Sequence, residues 1–303
     1  MSLRGEGEPR REPGETPGAS FSAGDERRDG RSRLSPLLLL FAALLLALLA
    51  VAGLLLWRSL GDNLSGTSVA RDSIDSGPEP RVRVTSRAGQ VRVEGVEGLD
   101  SVEYEVTKYA MGPDPAAAKR KASEVPVDLS RQDSTFVLET DGGRGTGADY
   151  ALRVPAGGAV EVESGAGDVE VSGLSGEVKV LAEAGDVTVR SAGSDVKVAA
   201  PQGDVVIDDV STETGQVELE VGSGDVALRD LIVGTLEASV EAGSVTLSGR
   251  FSGSGRIFVE TGAITANLPP EDTRELALET SVGQVMRETP NQDEDRPENK
   301  EGS

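Results

Sequence analysis

SGAGDVEVS, GLSGEVKVL, AEAGDVTVR, SAGSDVKVA, APQGDVVID: written in nines, residues 164–208 are five copies of one pattern. Each copy has a small or polar lead-in, a pair of turn residues, then apolar–polar–apolar. Gly-Asp-Val recurs at Gly167, Gly185, Gly203 and Gly224. The slot continues as Gly243-Ser244-Val245, Gly262-Ala263-Ile264 and Gly283-Gln284-Val285. Successive glycines stand 18, 18, 21, 19, 19 and 21 residues apart. Half-way between them fall Val178-Lys179-Val180, Val196-Lys197-Val198, Val217-Glu218-Leu219 and Ile257-Phe258-Val259, so one period holds two short strands and two turns. Self-similarity at such a period marks a stacked repeat architecture.

Side chains alternate along a strand, so Val169 and Val171 point inward and Glu170 outward. The same reading places Val187 and Val189 inside around Thr188, and Val196 and Val198 inside around Lys197. A strand this short with one apolar face cannot bury it alone. Stacking coils about 4.8 Å apart builds a continuous core and satisfies each backbone from its neighbours. The fold class expected is therefore all-β: a parallel single-stranded β-helix, or β-solenoid, with coils of 18–21 residues. An antiparallel sandwich of hairpins is the competing arrangement, but a sandwich rarely keeps its turn residues in phase over seven repeats.

Composition removes several chemistries. The chain of 303 residues has no cysteine and no histidine, so disulfides, thiolate metal sites, histidine triads and histidine zinc sites are excluded. Aromatic residues are 3%, too few for base-stacking platforms. The net charge of −22 argues against nucleic acid as a partner.

One segment is strongly apolar. From Pro36 to Trp57 no charge occurs for 22 residues, roughly 33 Å as a helix and enough to cross a bilayer. Arg27, Arg28, Arg31 and Arg33 crowd its near side, while Arg58 and Arg71 alone follow closely on the far side. The excess of positive charge predicts a cytoplasmic N-terminus and an extracytoplasmic C-terminal domain. Cleavage after Ala50-Val51-Ala52, as in a signal peptide, is the alternative, disfavoured by the apolar residues that follow it. Residues 1–57 carry seven Arg and seven acidic residues, so the −22 lies in residues 58–303, where 23 basic residues face 45 acidic ones.

The expected organisation is a disordered cytoplasmic tail at 1–33, a transmembrane helix at 34–57 and a flexible Gly/Ser/Asp linker at 58–79. A solenoid domain follows at 80–286 and a disordered acidic tail at 287–303. Within the domain, Val82-Arg83-Val84, Val91-Arg92-Val93, Val102–Val106, Phe136–Leu138 and Tyr150–Val154 read as strands leading into the regular stack. Asp114-Pro115 before AAAKRKA reads as a helix start, an N-cap with proline at the first helical position.

A Val-x-Val lead, a Tyr-containing strand, a small helical insert, an extended strand ending Val154-Pro155 and then repeated Gly-Asp-Val-x-Val resemble the bacterial "putative adhesin" family. These are membrane-tethered β-solenoid domains of unknown function, and the resemblance spans about residues 80–286. It implies an envelope-displayed β-helix, with adhesion suggested by architecture alone and no catalytic residues to transfer.

Three constellations invite a chemical reading. Gly143-Arg144-Gly145-Thr146-Gly147-Ala148 matches a dinucleotide fingerprint in form, but such a motif works between a strand and a helix, and here a strand follows. Asp168, Asp186, Asp204 and Asp225 share one slot of successive coils and form a ladder that could hold cations. Calcium-binding rolls, however, place Asp two positions after Gly, and an Asp in a turn ordinarily bonds backbone N–H groups. Carboxylate pairs for glycoside chemistry could be drawn from Asp208, Asp209, Glu218 and Glu220, although acidic residues are abundant enough to pair by chance. No catalytic residue, cofactor or resident metal is expected.

The sequence thus points to a non-catalytic, membrane-anchored acidic module for adhesion, binding or scaffolding. Its partner would be an unidentified protein or envelope polymer. Two other readings remain: a sensor or regulatory subunit of a membrane complex, and a carbohydrate-active β-helix enzyme.

Overall fold

The computed structural model describes residues 66–132, 134–140, 145–269 and 276–288. The expected cytoplasmic tail, the expected membrane helix at 34–57 and residues 289–303 lie outside the described residues. Among the described residues no helix is long and apolar enough to cross a membrane.

The chain forms a β-solenoid with two sheet faces. Hydrogen-bonded along the first face are β6 (Thr135–Thr140), β2 (Arg81–Ser86), β8 (Ala159–Ser164), β10 (Val178–Ala182) and β12 (Val196–Gln202). The C-terminal halves of β13 (Val205–Ser223) and β14 (Val226–Ala242), then β16 (Gly255–Thr261) and β18 (Leu276–Val282), complete it. The second face runs through β7 (Thr146–Pro155), β3 (Val91–Val96), β9 (Val169–Ser172) and β11 (Val187–Ala192). It continues through the N-terminal halves of β13 and β14 to β15 (Val245–Phe251), β17 (Ile264–Asn267) and β19 (Val285–Glu288). Every one of these pairings is parallel, as a stack of like-directed coils requires.

The alternation read from the sequence is the alternation observed. Val169, Val171, Val187, Val189, Val196 and Val198 are buried in one continuous core of mostly Val, Leu and Ile, while Lys197 is exposed. Each valine so placed contributes roughly 1.5–3 kcal/mol of transfer free energy. That is why short strands of low individual stability suffice when stacked.

Two features depart from the expected order. The coil made by β2 and β3 lies between the later coil β6/β7 and β8/β9: β2 pairs with both β6 and β8, and β3 with both β7 and β9. The step from β7 to β8 must therefore pass the Pro78–Pro80 approach to β2. Gly157 and Gly158 make it, where an added Cβ would stand 3.0 Å from the Pro78 carbonyl oxygen and 3.2 Å from that of Pro80. The second departure corrects the linker. Gly66–Asp75, expected as part of the flexible segment 58–79, is the ten-residue strand β1. It pairs antiparallel along its whole length with β4 (Ser101–Ala110), which in turn pairs antiparallel with β7. Polar composition misled here because β1 is held by cross-strand partners: the Arg71 guanidinium donates to both carboxylate oxygens of Glu105, at 2.6 and 2.9 Å. At the other end, Arg287 and Glu288, expected in the acidic tail, belong to β19.

Helix α1 (Pro115–Ser123) begins where the sequence places it. The Asp114 carboxylate accepts the Ala117 N–H at 2.7 Å, and Ala118 and Ala122 are buried. Lys108 of β4 donates to the Ser123 and Val125 carbonyls, both at 3.1 Å, tying the helix's C-terminal end to the sheet. β5 (Asp128–Gln132) pairs antiparallel with β6, so helix, β1, β4 and β5 together close the N-terminal end of the stack, as terminal repeats must.

Candidate functional site

The aspartate ladder stands at the turn into the second face. Glycine opens that turn in a positive-φ conformation, and the following Asp is left beside the next coil's backbone. Asp168 Oδ1 accepts the N–H of Asp186 at 3.1 Å, Asp186 that of Asp204 at 3.0 Å, Asp204 that of Asp225 at 2.8 Å, and Asp225 that of Ser244 at 2.8 Å. The slot also includes Asp149, which accepts the Gln90 N–H at 2.9 Å and which the repeat spacing did not reveal. Each carboxylate therefore has a coil-to-coil role, sealing the stack by a charge-assisted bond. Among the described residues no group of three acidic side chains is placed to hold a metal ion.

Asp186→Ala removes one acceptor and costs about 1–2 kcal/mol, whereas Asp186→Asn keeps an oxygen in place and costs less. The full chain should melt at the same temperature in excess chelator and in millimolar calcium. A large calcium-dependent rise, lost in the Asp186→Asn/Asp204→Asn double variant, would turn the ladder into a cation site.

The other carboxylates divide between the faces, Glu218 and Glu220 lining one groove on the first and Asp208 standing apart from them on the second. Asp208 lies on the second face, in register with Arg190 and Arg229, while Glu218 and Glu220 lie on the first face in register with Lys197 and Ala199. Asp209 is in a left-handed conformation, φ 55°, and accepts the Ser191 Oγ hydrogen at 2.8 Å. Gly145-Thr146-Gly147-Ala148 leads into strand β7 rather than into a helix, so the fingerprint lacks the helix N-terminus that phosphate binding needs.

What the faces present instead is columns of outward side chains. On the first face Glu161 accepts from Arg83 at 2.7 Å and from Lys179 at 2.6 Å, three consecutive coils joined by one carboxylate. On the second face Glu170 does the same between Arg92, at 2.9 Å, and Arg190, at 2.7 Å. Lys179 and, behind it, Arg83 hold the Glu161 carboxyl below the usual carboxylate range against a partial desolvation that pushes it up. Because its folded-state pKa is depressed, its contribution is present above the unfolded value and lost as pH falls through the folded one. Glu161→Gln should cost about 1 kcal/mol or less at neutral pH, and the difference from the parent should close below about pH 4. A difference that persists there would mean packing, not charge, sets it.

Further along the first face Glu218 accepts from Lys197 at 2.7 Å, and beyond that pair acidic side chains outnumber basic ones. Glu218, Glu220, Glu237 and Glu279 surround Phe258 and Arg256 in a shallow groove of about 500 Å³. Sequence periodicity gives the outward positions but not which of them become neighbours across coils of 19 and 21 residues. Inside the first coils Thr140, Ser86 and Ser164 form an inward column of hydroxyls on the first face, and Tyr150 is buried on the second. Burial, and then Glu139, push the Tyr150 phenol up.

Residues 123–303 match the family model described as Toastrack DUF4097. That is more than half of the chain, which therefore belongs to this family. Among solved structures, a "putative adhesin" from Bacteroides fragilis is 14% identical with a TM-score of 0.47, the alignment covering 73% of this chain and 97% of that one. A "putative adhesin" from Parabacteroides distasonis is 15% identical with a TM-score of 0.37, over 73% and 97%. A protein from the same species described as lipid binding is 11% identical with a TM-score of 0.33, over 74% and 95%. No curated protein matches the chain.

Proposed function

We propose that this toastrack-family chain is a non-catalytic binding module, displayed outside a membrane by the apolar segment 34–57 with its N-terminus in the cytoplasm. The observation that carries the reading is the pair of sheet faces. Each sets outward side chains in columns at the coil spacing, held by one continuous core. Such a surface recognises an extended partner by repeated, individually weak contacts, and its affinity grows with the number of coils engaged. The acidic groove around Phe258 suits a partner with cationic groups, because an aromatic ring among carboxylates attracts a cation both electrostatically and through its π face.

The absence of cysteine from the sequence makes a direct test available. A single cysteine at Ser239, on the first face, should react with a membrane-impermeant maleimide on intact cells, while one at Arg10 should react only after the cells are opened. The reverse pattern sinks the orientation. An impermeant photocrosslinker carried at Ser239, or at Thr246 on the second face, should then give an adduct of recurrent mass. No adduct from either face in living cells overturns the binding reading.

A further inference from the structure

Most of the domain is acidic, but between the exposed carboxylates of Asp114 and Glu124 the surface of helix α1 is cationic. Helix α1 carries Lys119, Arg120 and Lys121 in succession, all exposed, while its buried side is the Ala118–Ala122 stripe. On the loop that joins β4 to the helix, Met111 is 60% exposed, and on the neighbouring strand Val69 is 50% exposed. The corner is also where the chain enters the domain. Gly66 stands in register with Ala110, and an added Cβ there would meet the Lys119 nitrogen and the Ala118 carbonyl carbon. Between the apolar run ending at Trp57 and Gly66 there are eight residues, Arg58–Ser65, at most about 28 Å even when fully extended.

We propose that this corner, Met111 with Lys119, Arg120 and Lys121, docks on the anionic headgroups of the membrane from which the chain emerges. The proposal rests on the membrane-anchored reading above. An exposed apolar side chain beside a basic helix face is what a lipid interface selects, with the apolar group entering the headgroup boundary and the cations meeting phosphates. Interaction with its own helix dipole accounts for Arg120 and Lys121 in the last turn, but not for an exposed methionine on the adjoining loop. The short tether keeps the corner at high effective concentration near the bilayer, so a weak attraction suffices. The acidic remainder of the domain is repelled by the same surface. Docking therefore aims the stack outward and holds the groove around Phe258 away from the lipid, toward external partners.

The test uses the full chain in lipid nanodiscs with a polarity-sensitive dye on Ala116→Cys, an exposed position of α1. In discs containing phosphatidylglycerol the emission should shift to the blue; in pure phosphatidylcholine it should not. High salt should reverse the shift. The variant Lys119→Gln/Arg120→Gln should lower the docked-to-free ratio by about thirtyfold while leaving the melting temperature unchanged, because both side chains are exposed. Identical emission in both bilayers overturns the proposal. So does a shift evoked by soluble polyphosphate on phosphatidylcholine discs, which would make the corner a site for free anionic polymer. Chain that does not co-elute with the discs in high salt would refute the anchor itself, a failure visible before any dye is read.

Discussion

Val187→Asp is expected to cost about 4 kcal/mol or more, and Thr188→Asp, one residue away, within about 1 kcal/mol. Val187 is fully buried on the second face, in register with Val169 on one side and Val205 on the other. A carboxylate there has no charge partner, and parallel strands on both sides hold the backbone in place, so it cannot turn to solvent. Thr188 points outward between Glu170 and Val206, where a second carboxylate adds only screened repulsion. Denaturant unfolding of the two variants checks this, and equal losses would place the register one residue out. Stability in a stack is carried largely between neighbours. Hydrogen exchange in the Val187 variant should therefore quicken first in β9, β11 and the N-terminal half of β13, with β17 and β19 least affected.

That prediction could be written almost wholly from the sequence, and the reason is physical. In a solenoid the inward positions repeat with the chain, so a pattern of period two inside a period of 18–21 states the register directly. The same simplicity hid the order of the first coils. Val82-Arg83-Val84 and Phe136-Val137-Leu138 carry the same signal, and nothing in it says that the later strand stacks outside the earlier one. β1 escaped for the opposite reason: GTSVARDSID has no sustained alternation, and its structure comes from β4 and from the Arg71–Glu105 pair. The aspartate ladder was legible as a column of residues that bond backbone N–H groups, but not as bonds from one coil to the next, since a slot in a repeat shows which residues align and not which atoms meet. Least legible was the cluster around Phe258. Its members come from four coils, and they meet only because the longer coils keep their strands in register while their turns absorb the extra residues.

Gly203→Ala should be as damaging as a charge in the core, at about 3–5 kcal/mol. The residue sits at φ 138°, a conformation side chains rarely adopt, and an added Cβ would lie 2.1 Å from the Gly185 carbonyl oxygen and 2.7 Å from its carbon. Both obstacles are backbone of the adjacent coil, so no rotamer change relieves them. Separating the coils there would stretch the bonds from the Gly185 N–H to the Gln202 carbonyl and from the Asp204 N–H to Asp186, each 3.0 Å. The protein contains its own control. Gly77 also has positive φ, 75°, but nothing lies within 4 Å of the position its Cβ would take. Gly77→Ala should therefore show the conformational cost alone, about 1–2 kcal/mol. The gap between the two variants measures how closely the turns must stack. If Gly203→Ala cost no more than Gly77→Ala, the turn would be compliant, and the fixed column spacing on which recognition by the two faces depends would be lost as an argument. If the gap is as large as expected, glycine recurs in this slot because the coils can approach to hydrogen-bonding distance only where there is no side chain, and aspartate follows it because the next coil's N–H then lies within reach.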